Sequence, residues 1–294
     1  FFKKVSLRFS GHALLSGRKD RKYMRIIDAH VHTLEDYPSM TPFQDMGRVD
    51  RLLYHMQDAG VDKALMLPVV ADSSPQNNAD CGRWAKEHPE QLAAMTDVPL
   101  DAPDAPERIA AARAQFGSVA ISCYPRTPDL EWMTTTEHEA IWIAFQVSGL
   151  VCNLQVTPPN YAHIIELARR YPSVRFVMNH FGLPKGGGIA ADDENFGGLD
   201  AAAAADNLFV KVSAFYSVAD TAWDFHCPTA LAYLYRLRDV LGADRLMFGS
   251  DWPPAGRQLT YRQIVEIVRT QAVDLSEQER AAILGGTAAG VYGV

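Results

Sequence analysis

Cysteine is scarce in this chain: four residues in 294 (Cys81, Cys123, Cys152 and Cys227), no two of them forming a C-x-x-C pair. That scarcity argues against a disulfide framework and fits a reducing compartment, so the expected location is the cytoplasm. Long apolar runs are missing too. No stretch reaches the roughly 20 residues that a membrane span needs, so no membrane association is expected. Positive charge is in short supply, with 28 Lys and Arg against 35 Asp and Glu and a formal charge of −7. Residues 1–23 hold seven of the basic residues against one acid, Asp20, which leaves −13 on the rest. An acidic body of this kind argues against a nucleic-acid partner. The basic lead is acid-poor, but Arg8 and His12 interrupt the apolar core that a secretory signal requires. Residues 1–23 are therefore read as an N-terminal extension outside the fold. No linker or low-complexity segment divides residues 24–294, which are expected to form a single domain.

Beyond these absences, the chain shows a steady alternation of two patterns. Short apolar, β-branched runs occur at 25–32, 63–69, 92–98, 118–124, 150–156, 175–180, 208–213 and 245–250. Strands buried on both faces read this way. Between them lie amphipathic helical patterns. Val49, Leu52, Leu53 and Met56 share one face and stop at Gly60. Ile141, Ala144 and Phe145 stop at Gly149, and the pattern from Leu231 to Leu241 stops at Gly242. The segment with Ile164, Ile165 and Leu167 ends before Pro172, and the Ala201 to Ala205 run reads as helix. Eight strands alternating with helices predict an α/β fold, a (β/α)8 TIM barrel, with an open doubly wound sheet as the alternative.

The richest segment is His30-Val31-His32 at the end of the first strand. Side chains alternate along a strand, so two histidines at spacing two face the same way. Such a pair suits metal ligation or polar substrate contact. A chance pair on a half-exposed strand is the plainer reading of that spacing alone. A second segment shifts the balance: Phe248-Gly249-Ser250-Asp251-Trp252-Pro253, where the eighth strand gives out. In a barrel the first and eighth strands are neighbours, and active sites lie at the strands' C-terminal ends. His30, His32 and Asp251 should then converge. The other strand ends add His180, Tyr124 with Arg126, and Lys211 with Ser213. Asp28, two before His30, is expected to share its face and orient it. Lys211, if inward, needs a charged partner and is read as structural. Arg126 read alone is a loop arginine in a surface ion pair; at a barrel mouth its planar guanidinium suits a substrate carboxylate. Trp252, Tyr124 and Phe181 are candidates for pocket walls. His226 follows the seventh strand and is a weaker candidate, whereas His55, His88, His138 and His163 fall on helices.

The segments Ile26-Ile27-Asp28-Ala29-His30-Val31-His32, Asn179-His180-Phe181-Gly182-Leu183-Pro184 and Phe248-Gly249-Ser250-Asp251-Trp252-Pro253 resemble signature segments of the amidohydrolase superfamily. The nearer likeness is to its amidohydrolase-related branch, with aminocarboxymuconate semialdehyde decarboxylase-like enzymes, pyrone dicarboxylate lactonase and sugar lactonases. It runs from about Met24 to the C-terminal segment 285–293. The resemblance implies one divalent metal ion, zinc by donor type, on His30, His32 and Asp251, with His180 contacting metal, water or substrate. It implies that Asp251 acts as general base. Two departures stand out. The fourth strand, Ala120-Ile121-Ser122-Cys123-Tyr124, lacks the lysine of two-metal members, and the fifth, ending Gln155-Val156-Thr157, lacks a histidine. The lactonases of the branch use the same positions without a tightly bound metal, so metal-independent activity stays open.

The expectation is a hydrolase of a small carbonyl compound, a lactone or related cyclic or amide-like molecule. Asp251 and His180 are the catalytic residues, and Arg126, Tyr124 and Trp252 bind a substrate that carries a carboxylate. A non-oxidative decarboxylase of an aromatic or muconate-like acid uses the same residues. A third reading is a barrel that binds a ligand without turning it over. Whether copies of the chain form a homo-oligomer stays open.

Overall fold

The computed structural model describes residues 24–69, 74–184 and 196–294. The extension 1–23 lies outside the described residues. Eight parallel strands follow one another around a barrel: β1 (Ile27–Val31), β2 (Lys63–Met66), β3 (Leu92–Asp97), β4 (Ala120–Cys123), β5 (Val151–Leu154), β6 (Phe176–Met178), β7 (Leu208–Val212) and β8 (Leu246–Phe248). The ends of β1 and β8 meet through a parallel bridge between Val31 and Trp252. There the His32 backbone N–H donates to the Trp252 carbonyl at 2.7 Å, and the Asp251 N–H to the His30 carbonyl at 2.9 Å. The fold is a TIM barrel.

Helices α1 (Val49–Ala59), α2 (Asn77–Glu87), α3 (Ala105–Phe116), α4 (Glu139–Ser148) and α5 (Tyr161–Arg170) follow β1 to β5, and a helix at Pro228–Leu241 precedes β8. Their apolar faces bury against the strands. In α1, Leu52 and Met56 are fully buried, and the helix stops at Gly60, whose φ of 74° closes the last turn in the left-handed region. The Ala run forms a short 3-10 helix at Leu199–Ala204.

Two apolar clusters result. The larger fills the space between strands and helices, with Val31, Met66, Ile121 and Phe248 among its members. The smaller lies inside the barrel, built from Ile27, Leu65, Met95, Val151, Val177 and Met247. It is closed below by Ala288, Val291 and Tyr292 of the last helix, Thr287–Tyr292. The strands leave the ladder one to three residues before the apolar runs end. Val69, Val156 and Ser250 stay buried beyond that point, the two valines within the larger cluster. Among the described residues no helix is long and apolar enough to cross a membrane.

Candidate active site

His30, His32 and Asp251 meet at the C-terminal end of the barrel, although 221 positions separate the first from the last. Asp251 Oδ1 lies 3.5 Å from His30 Nε2, 3.3 Å from His32 Nε2 and 4.0 Å from His180 Nε2. All four residues are nearly closed off from solvent, at 8% exposure or less. Asp251 and His180 sit in the left-handed backbone region, with φ of 60° and 52°. That conformation is costly for non-glycine residues, and such strain concentrates where side chains must be aimed.

A shift in β1 aims the histidines. Its register against β2 slips by one residue between Asp28 and Val31. Ile27 and Ala29 belong to the inner cluster, but Val31 belongs to the outer one. Asp28 therefore does not share a face with His30, as strict alternation predicted. Its carboxylate accepts from the backbone N–H groups of His30 (3.1 Å) and Ser250 (2.8 Å) and from the Tyr261 hydroxyl (2.9 Å). It ties the two ligand-bearing segments together through their backbones. Burial pushes its carboxyl up to about 6, against the pull of those hydrogen bonds.

The remaining neighbours fix ring orientation. His32 Nδ1 pairs with the Leu67 carbonyl at 3.0 Å, which puts its proton on Nδ1 and leaves Nε2 as a lone-pair donor toward Asp251. Ser213 Oγ accepts the His180 backbone N–H at 3.2 Å and lies 2.9 Å from His180 Nδ1. Ser213 then has its own proton to give to Nδ1, which leaves the ring proton of His180 on Nε2, facing Asp251. Tyr216, on the short helix Phe215–Val218, donates to Asp251 Oδ2 at 2.7 Å. The sequence reading missed Tyr216. Its only signal is its position just after the β7 end that carries Ser213.

Charge follows from burial. Burial drives His30 well below the usual imidazole range, and the nearby His180 and Lys211 add to this. His180 falls to about 4, again through burial, with Asp251 opposing. Burial would raise Asp251, but the neighbouring His180 and His32 rings and the Tyr216 hydroxyl outweigh it and hold the carboxyl below its ordinary value. Near neutral pH the site therefore pairs an ionised carboxylate with uncharged His30 and His180 rings, the protonation state that metal ligation or base catalysis requires.

His30, His32 and Asp251 could hold a metal ion: one ligand atom from each lies within 4.8 Å of the others. Both His30 ring nitrogens are buried without a hydrogen-bond partner, as a ligand awaiting an ion would be. His180 stands beside this donor set and is not part of it.

Other expected residues fall elsewhere. The Arg126 guanidinium is 60% exposed and makes a bidentate contact with Asp101 (Nη2–Oδ1 2.8 Å). Trp252 is 3% exposed and packs outward, donating to the Met46 carbonyl at 3.2 Å and touching His55 and Tyr261. Phe181 is core, against Phe215 and Tyr233. His226 pairs with Gln271 at 2.9 Å on the surface. Tyr124 does reach the mouth, its buried hydroxyl within electrostatic range of Asp251. Lys211 is fully buried inside the barrel, yet its Nζ has no hydrogen-bond partner. Burial holds it well below the usual amine range, Asp28 and Asp251 opposing, so the expected charged partner is replaced by loss of charge.

A family model described as Amidohydrolase matches residues 27–294. An L-fucono-1,5-lactonase from Burkholderia ambifaria is 29% identical over 161 residues, 53% of this chain and 53% of that protein. The chain spans about half the length or less of the curated relatives it matches. Among solved structures, an amidohydrolase from Burkholderia multivorans with bound zinc superimposes with a TM-score of 0.69 at 22% identity, covering 92% of this chain and 99% of that one. A probable 2-pyrone-4,6-dicarboxylic acid hydrolase from Acinetobacter baumannii, with citric acid bound, gives 0.72 at 17% identity, covering 92% and 100%.

Proposed function

The chain belongs to the amidohydrolase family, and from that premise we propose that it hydrolyses a lactone, with Asp251 as general base and His180 holding the carbonyl. The observation that carries this reading is the placement of Asp251, whose Oδ1 stands 3.3 to 4.0 Å from three imidazoles while Tyr216 steadies Oδ2. The L-fucono-1,5-lactonase relatives support the lactone.

Asp251 removes a proton from water, and the water oxygen bonds to the lactone carbonyl carbon. The Nε2–H of His180 donates to the carbonyl oxygen as negative charge gathers there. The ring C–O bond then breaks, and the departing oxygen takes back the proton from Asp251. The product is a hydroxy acid. A positioned base contributes about two to four orders of magnitude in rate. A divalent ion held by His30, His32 and Asp251, zinc in our reading, would supply positive charge that polarises the carbonyl and acidifies water. The alternative substrate contact, a carboxylate on Arg126, has no support in this geometry, because Asp101 already occupies that guanidinium.

A panel of 1,4- and 1,5-lactones followed by proton release, run beside aromatic carboxylic acids followed by carbon dioxide release, tests the reading. Lactone opening without carbon dioxide is expected. Carbon dioxide release with inert lactones would replace hydrolysis by decarboxylation.

A further inference from the structure

The segment that carries His180 winds in the left-handed sense. His180, Phe181, Gly182 and Leu183 follow one another with φ of 52°, 58°, 82° and 49°. Three of the four bear a Cβ, which this conformation sets against the following carbonyl oxygen, so such residues normally occur singly. A run of this length persists only where its surroundings hold it. Within the turn, the Gly182 N–H donates to the Asn179 carbonyl and the Leu183 N–H to the His180 carbonyl, both at 2.8 Å. From outside, Ser213 Oγ takes the His180 N–H at 3.2 Å, and Phe181 packs edge-on against Phe215 and Tyr233. A further hold comes from α5. Tyr161, its first residue, donates its hydroxyl to the Gly182 carbonyl at 2.5 Å, the short end of the range for such bonds.

Tyr161 is a fixed post. It is 2% exposed, and its helix buries Ile164, Leu167 and Ala168 in the larger cluster. Glycine at 182 lets the hydroxyl in, because a Cβ there would lie 2.5 Å from its oxygen. The accepting carbonyl is two residues beyond His180. Without the hydroxyl, that buried carbonyl loses its donor, and the turn must rotate to find another. We propose that Tyr161 is a positioning residue, which aims the His180 ring at Asp251 by gripping the left-handed turn through the Gly182 carbonyl. This rests on the reading of His180 as the group that holds the substrate carbonyl.

Tyr161→Phe, which removes one oxygen, tests the role with two readouts. In lactone hydrolysis kcat should fall about tenfold or more, with KM within threefold. In protein labelled with [15N]histidine, the wild-type His180 ring should show one tautomer with its proton on Nε2, its signals identified by their loss in His180→Gln. In Tyr161→Phe the two ring nitrogens should average as tautomers mix. Asn207→Ala is the control for stability alone: at the opposite end of the barrel, it breaks hydrogen bonds to the carbonyls of Ala168, Tyr171 and Val174. It should lower the melting temperature and leave both readouts at wild type. Gly182→Ala pushes the same contact apart from the other side and should reproduce both changes, and it carries the test if Tyr161→Phe does not fold. The double variant should have a kcat within twofold of Gly182→Ala alone. If no lactone is opened but the His180 signals still average in Tyr161→Phe, the reaction reading fails and the positioning role stands. If lactones are opened and either readout is unmoved in Tyr161→Phe, the positioning role is overturned and the reaction reading stands. Additive losses in the double variant also overturn it.

Discussion

Replacing Gly249 with alanine should disable the site by a single methyl group. Gly249 stands between β1 and its end, which carry His30 and His32, and the end of β7, which carries Ser213, the partner of the His180 ring. A Cβ built there lies 2.7 Å from His30 Cβ and 3.0 Å from Ser213 Cβ, with the His30 backbone nitrogen at 3.3 Å. Carbon atoms pack at about 3.5 to 4.0 Å, so β1 or β7 must yield by roughly 1 Å. His30 would move away from Asp251, and Ser213 would carry the His180 ring with it. Overpacking of this kind costs about 1 to 3 kcal/mol of stability, and a misplacement near 1 Å costs about a hundredfold in rate. Steady-state lactone hydrolysis with thermal unfolding on the same samples reads both. Gly290→Ala is the control, because that glycine sits in the last helix with nothing within 4 Å of an added Cβ. It should gain about 0.5 to 1 kcal/mol and keep full activity. A Gly249→Ala protein with kcat/KM within twofold of wild type would refute the packing argument.

Two further outcomes are expected. Asp28 has a folded-state carboxyl near 6 against an ordinary 3.8, so the folded state holds its proton more tightly and the resulting stability is lost as pH rises from about 4 to 6. That loss is about 3 kcal/mol, so Asp28→Asn, which keeps an acceptor oxygen for the His30 and Ser250 N–H groups, should gain on wild type by that order between pH 4 and 7 in urea unfolding. Parallel stability curves would contradict it. Arg126→Ala should change KM less than twofold for neutral and acidic lactones alike and stability by at most about 0.5 kcal/mol, since its partner Asp101 is a surface group. A tenfold rise in KM for acidic lactones would return that arginine to the binding site.

Much of this architecture is legible in residue order, for physical reasons. Strands buried on both faces must be short, apolar and β-branched, and all eight stand out in the sequence within a few residues of their ends. Barrel closure then brings Asp251 to His30 and His32 without further information. What stays hidden depends on register and on pairings that spacing does not encode. The slip in β1 turns Asp28 away from the His30 face, and no local pattern announces it. Arg126 is committed to Asp101, 25 residues earlier, and Trp252 to Met46, 206 residues earlier. Tyr216 acts through a helix of four residues, too short to show periodicity. Lys211 is expected from sequence to find a charged partner, and only the packed interior shows that burial favours its uncharged form.

The most direct measurement is lactone hydrolysis by Asp251→Asn across pH 4 to 8. Asparagine tolerates the left-handed φ of 60° at this position and leaves the fold in place. Wild type should hold its rate down to about pH 5, because Asp251 stays ionised below the ordinary carboxylate value. The variant should lose about two to four orders of magnitude in kcat/KM at every pH, with an unchanged melting temperature. A folded Asp251→Asn protein that opens lactones at the wild-type rate would contradict the assignment of the base, and with it the proposed chemistry.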